Sequence, residues 1–361
     1  MNATVLKSSH GADVATLALP THAQHCFTAY TPTDMRQMIR SAAEARKATL
    51  ISQFVFGGNR HYEICTAEEH PENHAPVWLQ GDACNDGDMY SMQAVAVSGL
   101  HLKTVKHGGR TVGVTYEDAH ARYCRLSGIM PTEVNASRPE QVQSTFQVIR
   151  DVLEENGFAF TDTVRTWIYL DRLLDWYTEF NRIRTAFFEA SGIFQAIVPA
   201  STGIGASNPF GAAIIMDVLA VQPKKGRMTI QAVPSPLQNP ALDYKSSFSR
   251  AVELGLPDYR SLLISGTASI DINGRSVHQC NVEMQIRLTM DVVNALLVSR
   301  GMSWGDLFRG IAYFKDMAYL PVYRHVADEL GIPRFPLAIS HADVCRDDLL
   351  FEIEVDAIKP T

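Results

Sequence analysis

Leu349-Leu-Phe-Glu352-Ile-Glu354-Val-Asp356-Ala-Ile358, close to the end of this 361-residue chain, is the stretch from which the fold is read. Side chains on a strand alternate between its two faces. Leu349, Phe351, Ile353 and Val355 therefore point one way, while Leu350, Glu352, Glu354 and Asp356 point the other. One face is core and the other carries acids. A solvated polar face on an antiparallel edge strand accounts for that alternation. So does a carboxyl row turned inward, next to Cys345, where burial makes a proton donor.

The strand recurs. Ala212 to Val221 closes an earlier segment of the same design, and residues 123–222 lie over residues 259–358. Tyr123-Cys-Arg-Leu-Ser127-Gly128 matches Leu262-Leu-Ile-Ser265-Gly266. Each is followed by an amphipathic helix, Glu140 to Asn156 and Val282 to Arg300, with apolar residues such as Val142, Phe146, Ile149, Val152 and Leu153 at helical spacing. Both helices stop at a glycine, Gly157 or Gly301. Strands Thr163 to Asp171 and Phe308 to Asp316 come next, then helices Phe180 to Ala190 and Val322 to Leu330, then the closing strands. The order in each copy is strand, strand, helix, strand, helix, strand.

Between the copies, Pro223-Lys-Lys-Gly226 and Pro234-Ser-Pro236-Leu-Gln-Asn-Pro240 are rich in breakers, because proline removes an amide that a ladder needs. The reading is an N-terminal domain over 26–228, a linker over 229–240 and a C-terminal domain over 241–361, with residues 1–25 weakly ordered. Within the first 115 residues, Pro32 to Lys47 reads as a helix, and Ala48 to Phe56, Ala75 to Gln80 and Met92 to Val105 read as strands extending the first copy's sheet.

Composition is that of a soluble globular protein, with 46% hydrophobic and 20% charged residues. A net charge of −7 gives no general attraction to nucleic acid or to an anionic membrane, so an anionic substrate must be held by local basic residues. No stretch is apolar and long enough to span a bilayer, and the first residues lack the pattern of a secretory signal. The cysteines Cys26, Cys65, Cys84, Cys124, Cys280 and Cys345 form no CxxC or metal-ligand spacing, which points to reduced thiols and a cytoplasmic location.

Each copy resembles the small trimeric proteins of the Rid/YjgF (reactive-intermediate deaminase) family: Ile-Ser-Gly, a helix, Gly-x-x-x-x-Asp (Gly301-Met-Ser-Trp-Gly-Asp306) and a closing Glu-Ile-Glu strand. Two such units in tandem, with Ser265-Gly-Thr-Ala-Ser-Ile270, resemble the chorismatases. The resemblance covers residues 120–361 well and the N-terminal third loosely. It implies an α/β (α+β) fold of two tandem YjgF/chorismate-mutase-like domains, each a mixed β-sheet with two helices packed on one face. It also implies cleavage of chorismate to pyruvate and a ring acid, with no metal and no organic cofactor.

The copies differ where chemistry is at stake. Neither carries the arginine that follows the Phe-Pro-Ala turn in YjgF deaminases: the turns here read Pro199-Ala-Ser201 and Phe335-Pro-Leu-Ala338. The glutamate of the deaminase closing strand falls on Glu352 in the second copy and on Ile215 in the first. The C-terminal copy alone keeps the acid, and the first becomes a structural wall. By the resemblance, Glu352 is the general acid that protonates the enolpyruvyl methylene of chorismate. Cys345, seven residues before it, matches the branch that forms 3-hydroxybenzoate by internal displacement and rearomatisation, with His341 placed to tune the thiol. Ala251, in Phe248-Ser-Arg-Ala251, is a size-dependent selector between that branch and the hydrolytic one, and Phe248 lines the matching pocket.

For the two substrate carboxylates, guanidinium forks are the best partners. The candidates are Arg324, Arg182 and Arg184 on the second helices, with Arg346 next to Cys345. Gly266 and Thr267 are candidates for contacts at the pocket floor. Gly203-Ile-Gly205-Ala-Ser-Asn-Pro-Phe-Gly211 fails as a dinucleotide fingerprint because a strand follows, and it reads as the tight loop before the first copy's last strand. His70 and His74 are separated by Pro71 and lack a third ligand, and Asp86-Gly-Asp88 is too short for a calcium loop. Three function classes stay open: chorismatase of either branch, Rid-type imine or enamine deaminase, and a non-catalytic small-molecule binding module. The expected partner is a small molecule, with the chain a monomer of pseudo-oligomeric packing or a weak homo-oligomer.

Overall fold

The computed structural model describes residues 11–30, 35–58, 62, 76–81, 89–244 and 246–361. Its N-terminal part departs from expectation. Strands β1 (Asp13–Ala18) and β2 (Ala23–Ala29) form a hairpin where weak order was expected, because Val14, Cys26 and Phe27 are buried hydrophobes. Helix α1 (Met35–Glu44), β3 (Ala48–Gly57), β4 (Val77–Leu79) and β5 (Met89–Ser98) follow. The five strands make a sheet of their own, in the order β1-β2-β5-β3-β4, instead of extending the next one. The single strand expected over Met92 to Val105 is broken at Gly99, whose φ of +80° turns the chain into β6 (Leu102–His107).

The two repeats form the other sheets. The middle unit runs β6, β7 (Arg110–Glu117), β8 (Ala121–Ile129), α2 (Arg138–Glu155), β9 (Thr163–Leu170), α3 (Tyr177–Ala190), β10 (Ala200–Gly205) and β11 (Ile214–Pro223). The C-terminal unit runs β12 (Thr229–Val233), β13 (Ala251–Gly255), β14 (Tyr259–Ala268), α4 (Val282–Ser299), β15 (Leu307–Phe314), α5 (Leu320–Glu329), β16 (Leu337–His341) and β17 (Phe351–Pro360). Their strand orders, β6-β7-β8-β11-β9-β10 and β12-β13-β14-β17-β15-β16, are the same. Three details are corrected. The expected linker 229–240 begins with β12, which pairs with β13. Each copy has an added strand, β10 or β16, parallel to β9 or β15. Gly203 and Gly205 belong to β10 rather than to a loop.

Local chemistry explains the helices. Ser137 and Glu140 form a capping box at the start of α2, and Asn281 accepts from the Met284 amide at the start of α4. Gly157 and Gly301, at φ +77° and +63°, let the chain turn away after them. Val142, Phe146, Ile149 and Val152 of α2 pack with Phe180 and Phe188 of α3 on the outer face of the middle sheet, and Ile286, Met290, Val293 and Leu297 of α4 do the same on the C-terminal one. No helix among the described residues is long and apolar enough to cross a membrane.

The inner faces of all three sheets meet. Cross-strand register equates Ser91, Ile215 and Glu352, which stand opposite Phe56, Tyr169 and Tyr313. It likewise equates Gln93, Asp217 and Glu354, opposite Phe54, Trp167 and Ile311. From those positions a closed ring of polar contacts runs round the molecule. Ser52 donates to Asp217 at 3.5 Å, Arg165 to Glu354 at 2.8 Å, and Arg309 to Gln93 at 2.8 Å. Ser52, Arg165 and Arg309 also occupy one register position, facing Val95, Leu219 and Asp356. The chain thus builds, from two full repeats and a shorter N-terminal sheet of the same strand order, three units about one centre.

Candidate active site

The acid face of β17 is not solvated. Glu352 is 5% exposed, Glu354 0% and Asp356 9%, because this face packs into the seam between the middle and C-terminal units. Within that seam lies a cleft of about 530 Å³, counting the space at its mouth.

Glu352 sits at the cleft floor against Gly266, beside an irregularity in the β14–β17 ladder between Ile264 and Thr267. A Cβ at position 266 would lie 2.0 Å from Glu352 Oε1. The missing side chain is the seat of the carboxyl. The Gly266 amide is turned the other way and donates to Thr202 Oγ1 at 3.1 Å. Among the described residues, nothing hydrogen-bonds to the Glu352 carboxyl. Burial, and then the charge of Glu354, push its pKa up to about 8, against the pull of Arg165 and Arg250. Glu352 therefore holds its proton at neutral pH.

Glu354, two residues on, is the opposite case. Burial alone would raise its pKa, but Arg165 and Arg309 bring it below the ordinary value. It accepts from Arg165 Nη2 at 2.8 Å, Trp167 Nε1 at 2.7 Å, Arg309 Nη2 at 2.6 Å and the Thr202 hydroxyl. One strand thus carries a protonated and an ionised glutamate side by side.

The walls come from both units. Helix α3 contributes Tyr177 and Arg184, β10 contributes Ser201 and Gly203, the approach to β13 contributes Phe248 and Arg250, and the approach to β17 contributes Cys345 and Arg346. Each arginine is steadied from behind. Arg184 Nη2 donates to Asn181 Oδ1 at 2.6 Å, Arg250 donates twice to the Asn239 carbonyl at 3.0 Å, and Arg346 Nη1 donates to the Gly274 carbonyl at 2.9 Å. Enclosure, and then the nearby Glu352, push Cys345 up to about 12, so it is a thiol and not a thiolate. Burial likewise keeps the Tyr177 phenol neutral, with Cys345 adding to the effect.

Of the residues singled out from sequence, Glu352, Cys345, Arg184, Arg346, Phe248 and Gly266 share this cleft. Four do not. Arg182 is exposed on the other side of α3, two residues from Arg184, as helical spacing requires. Arg324 is exposed on α5, in a separate groove with Asp13, Tyr30 and Arg334, where the C-terminal unit meets the N-terminal one. Ala251 is fully buried in the C-terminal core. Thr267 is buried and spends its hydroxyl on the Ser265 carbonyl at 2.9 Å. His341 does not reach the thiol; its Nε2 pairs with the Lys315 carbonyl at 3.1 Å. His70, His74, Asp86 and Asp88 lie outside the described residues. Arg250 and Tyr177 were missed. Arg250 stands in the quoted segment Phe248-Ser-Arg-Ala251, but nothing local marks it as facing a cleft built by another unit. In sum, a neutral carboxyl, a neutral thiol and three guanidinium groups converge on one small space, suited to a dianion that receives a proton.

Comparison with known proteins finds these likenesses. A 3-hydroxybenzoate synthase from Streptomyces hygroscopicus is 27% identical over 277 residues, spanning 69% of this chain and 77% of that protein. A chorismatase from the same organism is 29% identical over 257 residues, 63% of this chain and 70% of the other. Among solved structures, a chorismatase crystal structure superposes with a TM-score of 0.66 at 18% identity, covering 94% of this chain and all of that one, which establishes the fold. No family model matches the chain.

Proposed function

We propose that this chain, a homologue of chorismatases with the chorismatase fold, cleaves chorismate to pyruvate and 3-hydroxybenzoate. The observation that carries the reading is the protonated, buried Glu352 facing a cleft that also holds Arg184, Arg250 and Arg346. The arginines take the two carboxylates, and Glu352 delivers its proton to the terminal methylene of the enol ether. The resulting oxocarbenium ion weakens the bond from ring carbon 3 to the ether oxygen. Attack of the 4-hydroxyl oxygen on carbon 3 breaks that bond and releases pyruvate, whose keto oxygen is the former ether oxygen. The hydroxyl proton returns to Glu352. Opening of the arene-oxide-like ring and loss of a ring proton restore aromaticity. Pyruvate and 3-hydroxybenzoate together contain all the atoms of chorismate, so no water is consumed. Cys345, as a neutral thiol, borders the reacting edge of the ring and favours this branch over hydrolysis.

The test is to incubate the protein with chorismate and separate the products. Pyruvate and 3-hydroxybenzoate in equal amounts are expected. A dihydroxycyclohexadiene carboxylate would assign the hydrolytic branch instead, and unchanged chorismate would overturn the reading. For the carboxylate contacts, Arg184→Met is expected to raise KM about 10- to 100-fold, the worth of one charge-assisted hydrogen bond, with a smaller change in kcat. An unchanged KM from initial rates would remove Arg184 from the binding set.

A further inference from the structure

We propose that Glu354 and Thr202 form a positioning joint across the unit seam: the fixed negative charge of Glu354 reinforces burial in holding the proton on Glu352, and the Thr202 hydroxyl holds the Gly266 backbone against which Glu352 rests. The inference rests on the reading of Glu352 as proton donor. Its basis is geometric. Glu352 and Glu354 stand on one face of β17, two residues and so about 7 Å apart. Glu354 is fully buried and tied by four donors, of which Arg165, Trp167 and Thr202 come from the middle unit and Arg309 from its own. That clamp leaves it no freedom to turn away or to take up a proton. Thr202, from β10 of the middle unit, is the link: its hydroxyl donates to Glu354 while its oxygen accepts from Arg165 at 2.8 Å and from the Gly266 amide at 3.1 Å. Its methyl group lies 3.3 Å from where a Gly266 Cβ would stand. The middle unit, which has Ile215 in place of the acid, thus supplies Arg165, Trp167 and Thr202 to set the acid of its neighbour.

The charged and titratable groups around Glu352 are Glu354 on its own strand, Tyr313 opposite it on β15, Arg165 on β9, Arg250 before β13, Cys345 and Arg346 before β17, and Tyr177 and Arg184 on α3. Of these, Glu354 is the buried, ionised carboxylate; Arg165 and Arg250 act against the proton, while the thiol and the two phenols are neutral. Removing the Glu354 charge therefore leaves burial alone to hold the proton against Arg165 and Arg250.

The experiment is the pH profile of kcat/KM with chorismate for the full chain. Glu354→Gln is expected to move the alkaline limb about one to two pH units toward acid, at a separation of about 7 Å in a protein-like dielectric. A purely structural role would lower activity at every pH without moving the limb, and an unmoved limb overturns the proposal. Because loss of so buried a carboxylate can prevent folding, Thr202→Val is measured in parallel. It is expected to lower kcat about tenfold with KM held, since the seat of the acid shifts while the arginines stay; an unaltered kcat overturns the joint. If Glu352→Gln itself retains full activity, the reading of Glu352 fails, a result separate from either outcome.

Discussion

Glu352→Gln is expected to lower kcat about 10²- to 10⁴-fold, the usual contribution of a positioned general acid, while thermal stability stays near that of the parent protein. The amide keeps the shape of a carboxyl that is already uncharged in the folded protein, and among the described residues nothing hydrogen-bonds to it. The parent should keep its full activity at neutral pH and lose it above about 8, where Glu352 gives up its proton. The sign follows from burial: the folded carboxyl has a raised pKa, so the active, protonated form is the low-pH form. The glutamine protein should show no such limb. Steady-state rates across the pH range check both statements, and a folded Glu352→Gln protein turning over at the parental rate would end the assignment.

Gly266→Ala is expected to be nearly as damaging, for a reason of space alone. An added Cβ would stand 2.0 Å from Glu352 Oε1 and 3.0 Å from its Cδ. The group it meets is the end of a side chain and not backbone, so the carboxyl swings out while the fold survives. A loss of kcat of about a hundredfold or more is the expected result, comparable to the misplacement of a catalytic group by an ångström. Circular dichroism and the melting curve should change little. Retention of kcat within about threefold would show that Glu352 does not need this seat. Gly266 has no positive φ, so backbone freedom is not what selects glycine there.

Part of this was legible in the residues. The repeated Ser-Gly step, the helix periodicities with glycine stops and the alternation of the closing strand are local signals, and a local signal survives in a sequence read without structure. Comparing copies also separated Glu352 from Ile215, and the register of the strands places those two residues at equivalent positions. In the N-terminal part α1, β3 and β4 were legible, but the first hairpin and the separateness of the sheet were not, because its repeat to the other units is faint and its hairpin is held by partners far away, as in Tyr30 donating to the Leu337 carbonyl at 2.7 Å. The arginines divided for a similar reason: helical spacing says that Arg182 and Arg184 face different ways, but not which way the cleft lies.

By itself, then, the sequence determined the two copies, the order of their helices among the central strands and the one strand on which an acid was kept. Tertiary structure decided what that acid is. Period-two alternation assigns Glu352, Glu354 and Asp356 to one face without stating whether water or another sheet covers it. The covering groups come from elsewhere in the chain, Arg165 lying 189 residues before Glu354 and Thr202 152 before it. Charge and burial are properties of that neighbourhood, and so two glutamates two residues apart end with opposite protonation states.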